Sequence, residues 1–150
     1  MNQIPQTGKV EWVSIRPARR GAVMPLERVV ATVEEGLVGD HYSASSRNRQ
    51  VTLIQKEHLD AVGSILKKEI DPALTRRNIV VSGINLLALK DKEFKIGEAV
   101  LETTGLCHPC SRMEENFGPG GYNAMRGHGG ITAKVISGGE IKKGDEVKVI

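Results

Sequence analysis

Aromatic residues make up only 3% of the 150-residue chain, so stacking on nucleobases or sugar rings is excluded as a main binding strategy. Charge of one sign is also lacking. There are 21 Lys and Arg against 18 Asp and Glu, a net charge of +3. That excess is too small for a committed nucleic-acid binder, yet it tolerates a small anionic ligand. No apolar run approaches the length of a membrane span, and the first twenty residues lack the apolar core of a signal peptide. No nucleic-acid or membrane partner is therefore expected. The expected compartment is the cytoplasm, where thiols stay reduced. Cysteine is nearly absent too. Cys107 and Cys110 stand alone, and in a reducing compartment they read as reactive or ligating groups rather than a staple. With no internal repeat, linker or low-complexity tract, a single domain over residues 1–150 is expected, long enough to bury a core without disulfides.

What the chain does contain is short β-type segments separated by turn residues. Residues 9–15 and 28–33 read as strands, split by breaks at Arg19-Arg20-Gly21 and Met24-Pro25. Residues 36–48 are polar and glycine-containing, hence a loop. Residues 50–54 (QVTLI) form a compact strand. The spacing of His58, Leu59, Val62, Ile65 and Leu66 predicts a helix over 55–68. Asp71-Pro72 restarts the chain with a single turn. Residues 78–81 read as a strand, and 94–103 as a hairpin turning at Gly97-Glu98. Residues 131–136, 140–141 and 146–150 supply further strands. Many short strands with one or two helices predict a β-rich α+β domain, a barrel or a strongly curved sheet.

The reactive residues pool between Thr103 and Gly130. A scaffold of strands with its chemistry gathered in one loop region is a common arrangement for a site. Cys107 and Cys110 have C-x-x-C spacing, which leaves several readings open. They can form a dithiol redox pair, with a short helix at 111–117 lowering a thiol pKa. They can join His108 or His128 at zinc. One thiolate can ligate a soft metal, or both can simply pack in the interior. Gly118, Gly120, Gly121, Gly127, Gly129 and Gly130, with Arg126 among them, fit either an anion nest or a flexible surface loop. Arg76 and Arg77, just before Asn78 and a strand, suit a phosphate or pyrophosphate. His58 reads as a helix-face residue, and His41 carries no assignment.

Several segments, taken in order, resemble the MOSC family, named after the C-terminal domain of molybdenum cofactor sulfurases. Gly36-Leu37-Val38-Gly39-Asp40 is similar to the family's early G-x-x-G-D segment. Arg76-Arg77-Asn78-Ile79-Val80-Val81-Ser82-Gly83 is similar to the R-x-N segment of the amidoxime-reducing members. The strand pair at 94–102 leads straight into Cys107-His108-Pro109-Cys110, as in the family. The closing stretch from Gly129-Gly130-Ile131 to Gly144-Asp145 resembles its terminal hairpin.

The resemblance implies a barrel-like MOSC fold that binds the molybdenum cofactor (molybdopterin). Carried over by position, Cys110 becomes the metal ligand or a persulfide carrier, and Cys107 is placed to resolve such a persulfide. Arg76 and Asn78 fall near the anionic tail of the pterin, assisted by Arg77 and Arg126, while Arg112 is expected to keep the Cys110 thiol ionised. The implied partner is a sulfur or cofactor acceptor protein. The alternative implied by the family is a molybdenum-dependent reductase of N-hydroxylated compounds. The chain lacks the extra N-terminal domain of those reductases and the aminotransferase-like domain of the sulfurases. Ser111-Arg112-Met113-Glu114 also replaces the T-T-V-D that often follows the cysteine in the reductases.

Overall fold

The computed structural model describes residues 3–41 and 47–150. In chain order the strands are β1 (Gly8–Ile15), β2 (Met24–Leu26), β3 (Arg28–Thr32), β4 (Gly36–Leu37), β5 (Val51–Gln55), β6 (Ile79–Ser82), β7 (Glu93–Ile96), β8 (Ala99–Leu106), β9 (Ile131–Ser137), β10 (Gly139–Lys142) and β11 (Glu146–Val149). The helices are α1 (Lys56–Leu66), α2 (Ser111–Phe117) and α3 (Gly121–Met125). Single 3-10 turns occupy Arg47–Arg49, Pro72–Thr75 and Leu86–Leu89.

Seven strands close into a barrel in the order β1, β11, β7, β8, β9, β5, β6 and back to β1. The β1–β11 pairing, with Gly8 opposite Val147, is the closure. Among the described residues only β5 and β6 pair in parallel, joined by the crossover that carries α1. The strands β10, β3 and β4 form a small second sheet. The expected β-rich, barrel-like α+β fold is what the chain adopts.

Strand alternation explains why two hydrophobic layers form. On β5, Val51 and Leu53 enter the barrel core while Ile54 faces outward; on β6, Ile79 and Val81 face in and Val80 out. Opposite faces of a strand carry alternate residues, so an apolar residue at every position demands cover on both sides. That cover comes from Leu59 and Val62 of α1, Met113 and Phe117 of α2, and Ala124 and Met125 of α3. The helices thus lie on the outside of β5 and β6, and the cysteine segment sits beside the start of β6.

Three expectations change. The predicted break at Met24-Pro25 is the edge strand β2, paired to β1 with Ile15 opposite Met24. Pro25 is tolerated there because an edge strand leaves one side without ladder partners. The expected loop at 36–48 begins with β4, and its residues 42–46 lie outside the described residues. The glycine-rich stretch after Cys110 contains α3. Its start is organised by the Glu114 carboxylate, which accepts the backbone N–H groups of Gly120 and Tyr122, both at 3.0 Å. Those two bonds hold that carboxyl below its ordinary pKa.

Candidate functional site

One cleft of about 560 Å³ opens where the β1–β2 connection, the turn before β6 and the start of α2 converge. Arg16, Arg19, Arg20, Arg49, Arg76, Arg77 and Arg112 line it, together with His41, Cys110 and Met113. The chain has ten arginines and eleven lysines. Seven of the arginines face this cleft, and among the described residues no lysine and no carboxylate does. Guanidinium groups are the preferred partners of phosphate and carboxylate because their planar fork donates two parallel hydrogen bonds. The lining therefore suits an anion, and Cys110 places a thiol in the same wall.

The turn Pro72–Thr75 delivers two of these arginines. Asp71 caps it by accepting the Ala73 N–H at 3.0 Å. Arg76 ends it in the left-handed region, at φ 61°. Its Nη1 donates to the carbonyl of Gly21 at 2.9 Å, which ties the β1–β2 connection to this turn.

Arg77 is only 4% exposed, and its guanidinium serves the backbone. Nε donates to the Gly129 carbonyl (2.8 Å) and Nη1 to that of Thr75 (3.0 Å). Nη2 donates to the carbonyls of Cys107 (3.4 Å) and His108 (3.3 Å). Burial pushes its pKa down, against the favourable pull of the nearby Cys107 thiol. Arg77 thus forms the floor of the cleft and clamps the cysteine segment.

Asn78 is 1% exposed and lies outside the cleft lining. Its Oδ1 accepts from the Thr52 backbone N–H and the Thr52 hydroxyl, both at 3.0 Å. Its Nδ2 donates to the Ser14 carbonyl and to Asp40 Oδ1, both at 3.3 Å. Asp40 Oδ1 also accepts the Arg16 backbone N–H at 2.8 Å. The His41 backbone N–H donates to the Arg16 carbonyl at 2.8 Å. Asn78 and Asp40 therefore hold the end of β1, and with it Arg16 and His41, against β5 and β6.

The two cysteines have different surroundings, and both are free thiols. Cys110 is exposed and lines the cleft at the start of α2. Cys107 is 1% exposed, and its Sγ receives Arg49 Nη2 at 3.7 Å. The Cys107 N–H donates to the Gly130 carbonyl at 2.8 Å. Gly129 and Gly130 permit this packing: a Cβ on Gly129 would collide with the Cys107 carbonyl, and one on Gly130 with that of Leu53.

The structure thus gathers Arg76, Arg77, Arg112 and Cys110 in one cleft. It places Asn78 behind the cleft wall, Cys107 beneath the surface, and Arg126 on an exposed position at the end of α3. Among the described residues no group of three or more His, Cys, Asp or Glu side chains is placed to hold a metal ion, so the zinc reading finds no ligand set there. Sequence reasoning missed Arg16, Arg19, Arg20, Arg49 and His41. The available signal was the run Arg16 to Arg20, which carries three arginines in five residues and was read only as a break.

A MOSC domain model matches residues 38–148. Among solved structures, the YuaD protein from Bacillus subtilis superposes with a TM-score of 0.84 at 20% identity, covering 98% of each chain. YiiM from Geobacillus stearothermophilus superposes at 0.76 with 13% identity, covering 95% of this chain and 75% of its own. YiiM from Escherichia coli does so at 0.70 with 17% identity, covering 95% and 69%. At these identities the likeness is one of fold. No curated protein matches the chain.

Proposed function

The chain belongs to the MOSC domain family, whose members are linked to molybdenum-cofactor-related function, and from that premise we propose that its arginine-lined cleft holds the molybdenum cofactor with Cys110 as metal ligand. The observation that carries the reading is the pairing of one exposed thiol with seven guanidinium groups and no described carboxylate in a single cleft. The group has two chemically distinct ends, and this lining suits both. A cysteine thiolate is a soft ligand fit for molybdenum. The phosphate on the pterin calls for guanidinium donors. When bound, the cofactor supplies a redox-active metal; the protein supplies binding and orientation.

Each residue has a role in that reading. Cys110 offers its sulfur to the metal, and Arg112, two residues on, lines the same cleft. Arg76, which lines the cleft, offers its guanidinium to the phosphate end. Arg77 and Asn78 position the walls through the backbone bonds already described. The exposure of Cys110 favours a protein that binds the cofactor and passes it, or sulfur, to an acceptor protein, because an approaching partner can reach the thiol directly.

Expression in a host that makes the cofactor, followed by measurement of molybdenum and released pterin per chain, tests the reading. Cys110→Ser is expected to lose molybdenum and Cys107→Ser to keep it. Arg76→Ala is expected to weaken pterin binding about ten- to a hundredfold, the worth of one charged hydrogen bond to phosphate. Wild-type protein that never carries pterin overturns the proposal. Molybdenum retained in Cys110→Ser and lost in Cys107→Ser overturns the choice of ligand.

A further inference from the structure

We propose that the neighbouring rings of His58 and His128 form a proton-operated latch on the cysteine segment: while both rings are neutral the segment is held in place, and protonation of the pair loosens it. The latch is a property of the fold and stands apart from the ligand assigned to the cleft.

Two elements bring the rings together. His58 lies on α1, which is anchored by its neighbours Leu59 and Val62, 3% and 0% exposed in the outer apolar layer over β5 and β6. His128 lies in the short connection from α3 to β9, where its backbone N–H donates to the Met125 carbonyl at 2.8 Å. The ring centroids are 5.0 Å apart, with planes tilted by 59°. His128 Nδ1 is enclosed and has no hydrogen-bond partner among the described residues.

That arrangement suits neutral rings and resists charged ones. A neutral imidazole keeps one nitrogen as a bare acceptor, whereas an imidazolium donates from both. Protonated His128 would carry an N–H on an enclosed nitrogen with nothing to receive it, and a charged donor left so is costly. Two imidazolium rings at this separation also repel. Among the described residues the charges acting on His58 are His128 and, on α1 itself, Glu57. The Glu57 carboxylate already accepts from Gln55 Nε2 at 3.2 Å and from the Gly83 N–H at 2.9 Å. The strands β5 and β6 carry no charged side chain. α3 brings Tyr122 and, at its end, the exposed Arg126, which cannot offset added positive charge. Burial and then His128 hold the His58 pKa below its ordinary value, with Glu57 pulling the other way.

The side that yields is the His128 connection. Gly127, at φ 80°, has open space around it, so the chain can turn there. The two residues after His128 hold the cysteine segment directly. The Gly129 carbonyl accepts Arg77 Nε at 2.8 Å, and the same guanidinium donates to the carbonyls of Cys107 and His108. The Gly130 carbonyl accepts the Cys107 N–H at 2.8 Å. A shift of His128 away from His58 therefore reaches both bonds within two residues, and through them the segment that leads to Cys110. Histidine is the side chain whose charge changes in the range of about pH 5–8, which sets where the latch works.

Amide hydrogen exchange followed by NMR from pH 7.5 to pH 5.0, expressed as protection relative to the unstructured rate at each pH, reads the latch. The Cys107 N–H is the reporter. The Val10 N–H, which donates to the Asp145 carbonyl at 2.8 Å in the barrel, is the reference. On acidification Cys107 protection is expected to fall about tenfold or more relative to that of Val10. His58→Gln and His128→Gln disable the pair from different elements, and each is expected to abolish the fall. His108→Gln, at an exposed position on the cysteine segment itself, is expected to leave it intact. A constant ratio of the two protections, whether both hold or both decline together, overturns the proposal. A fall that persists in either pair variant, or that His108→Gln abolishes, places the titration elsewhere and overturns it too.

Discussion

Arg77 Nε donates to the carbonyl of Gly129 at 2.8 Å, a bond between residues 52 positions apart that joins the segment before β6 to the glycine-rich stretch before β9. The same guanidinium reaches the carbonyls of Cys107 and His108. One side chain therefore sets where the cysteine segment sits, and so where Cys110 meets the cleft.

Replacing Arg77 is expected to destabilise the fold before it affects any ligand. Arg77→Ala leaves the carbonyls of Thr75, Cys107, His108 and Gly129 without their donor. Buried acceptors left unpaired cost about 1–3 kcal/mol each at most, and partial relaxation brings the total to roughly 2–4 kcal/mol. Urea unfolding measures it. Arg77→Lys should recover only part, since one ammonium cannot span the four acceptors. A loss below about 0.5 kcal/mol would contradict the clamp.

Thiol reactivity should separate the cysteines cleanly. Cys110 is exposed and Cys107 buried, so a thiol reagent such as a disulfide chromogen is expected to label one thiol per native chain and two in denaturant. Cys110→Ser should leave a native protein that labels only as it unfolds. Rapid native labelling of Cys107 in that variant would mean the segment opens readily.

Gly130 sits at φ +87°, and a Cβ there would meet the Leu53 carbonyl on β5. Gly130→Ala is expected to cost roughly 3–5 kcal/mol through strain and displaced strands. Gly127, also at positive φ but with open space around it, should tolerate alanine with a smaller loss. Thermal unfolding of the two variants compares them directly, and equal losses would refute the close-packing account.

The neighbouring rings of His58 and His128, with centroids 5.0 Å apart and planes tilted by 59°, should make stability depend on pH. Burial, and then the charge of His128, hold the His58 pKa below its ordinary 6.5. The folded state therefore binds fewer protons than the unfolded state as pH falls through about 6.5. Stability is full above that value and declines below it, levelling off once pH drops beneath the folded pKa. His58→Gln should flatten the decline in a melting series from pH 8 to pH 5. An unchanged slope would place the effect in other groups.

Much of the scaffold was legible because local pattern and tertiary need coincide. The alternation in residues 9–15, the turn at Gly97-Glu98 and the 3.6-residue spacing of Leu59, Val62 and Leu66 each specify an element that the fold then uses. The short helix after Cys110 was legible for the same reason. Pro25 and the glycines near α3 misled, because a proline at a sheet edge and a helix start held by Glu114 depend on neighbours that are distant or non-periodic. In the site, Cys110, Arg76 and Arg112 were identifiable from motif position. Asn78 was identifiable as special, but its four side-chain bonds brace the strands behind the cleft.

The sequence by itself determined the class of fold, the family and the short list of reactive residues, since these follow from periodicity and from motifs contiguous in the chain. Only the tertiary structure decided which arginines share a cleft. Arg16 to Arg20, Arg49, Arg76 and Arg112 converge because the barrel closes β1 against β6 and the helices pack on the outer face of β5 and β6. It also decided that Arg77 holds backbone and Arg126 stays outside. A guanidinium's role is set by the acceptors brought within hydrogen-bond reach, and those acceptors come from chain segments that no local pattern in the sequence connects.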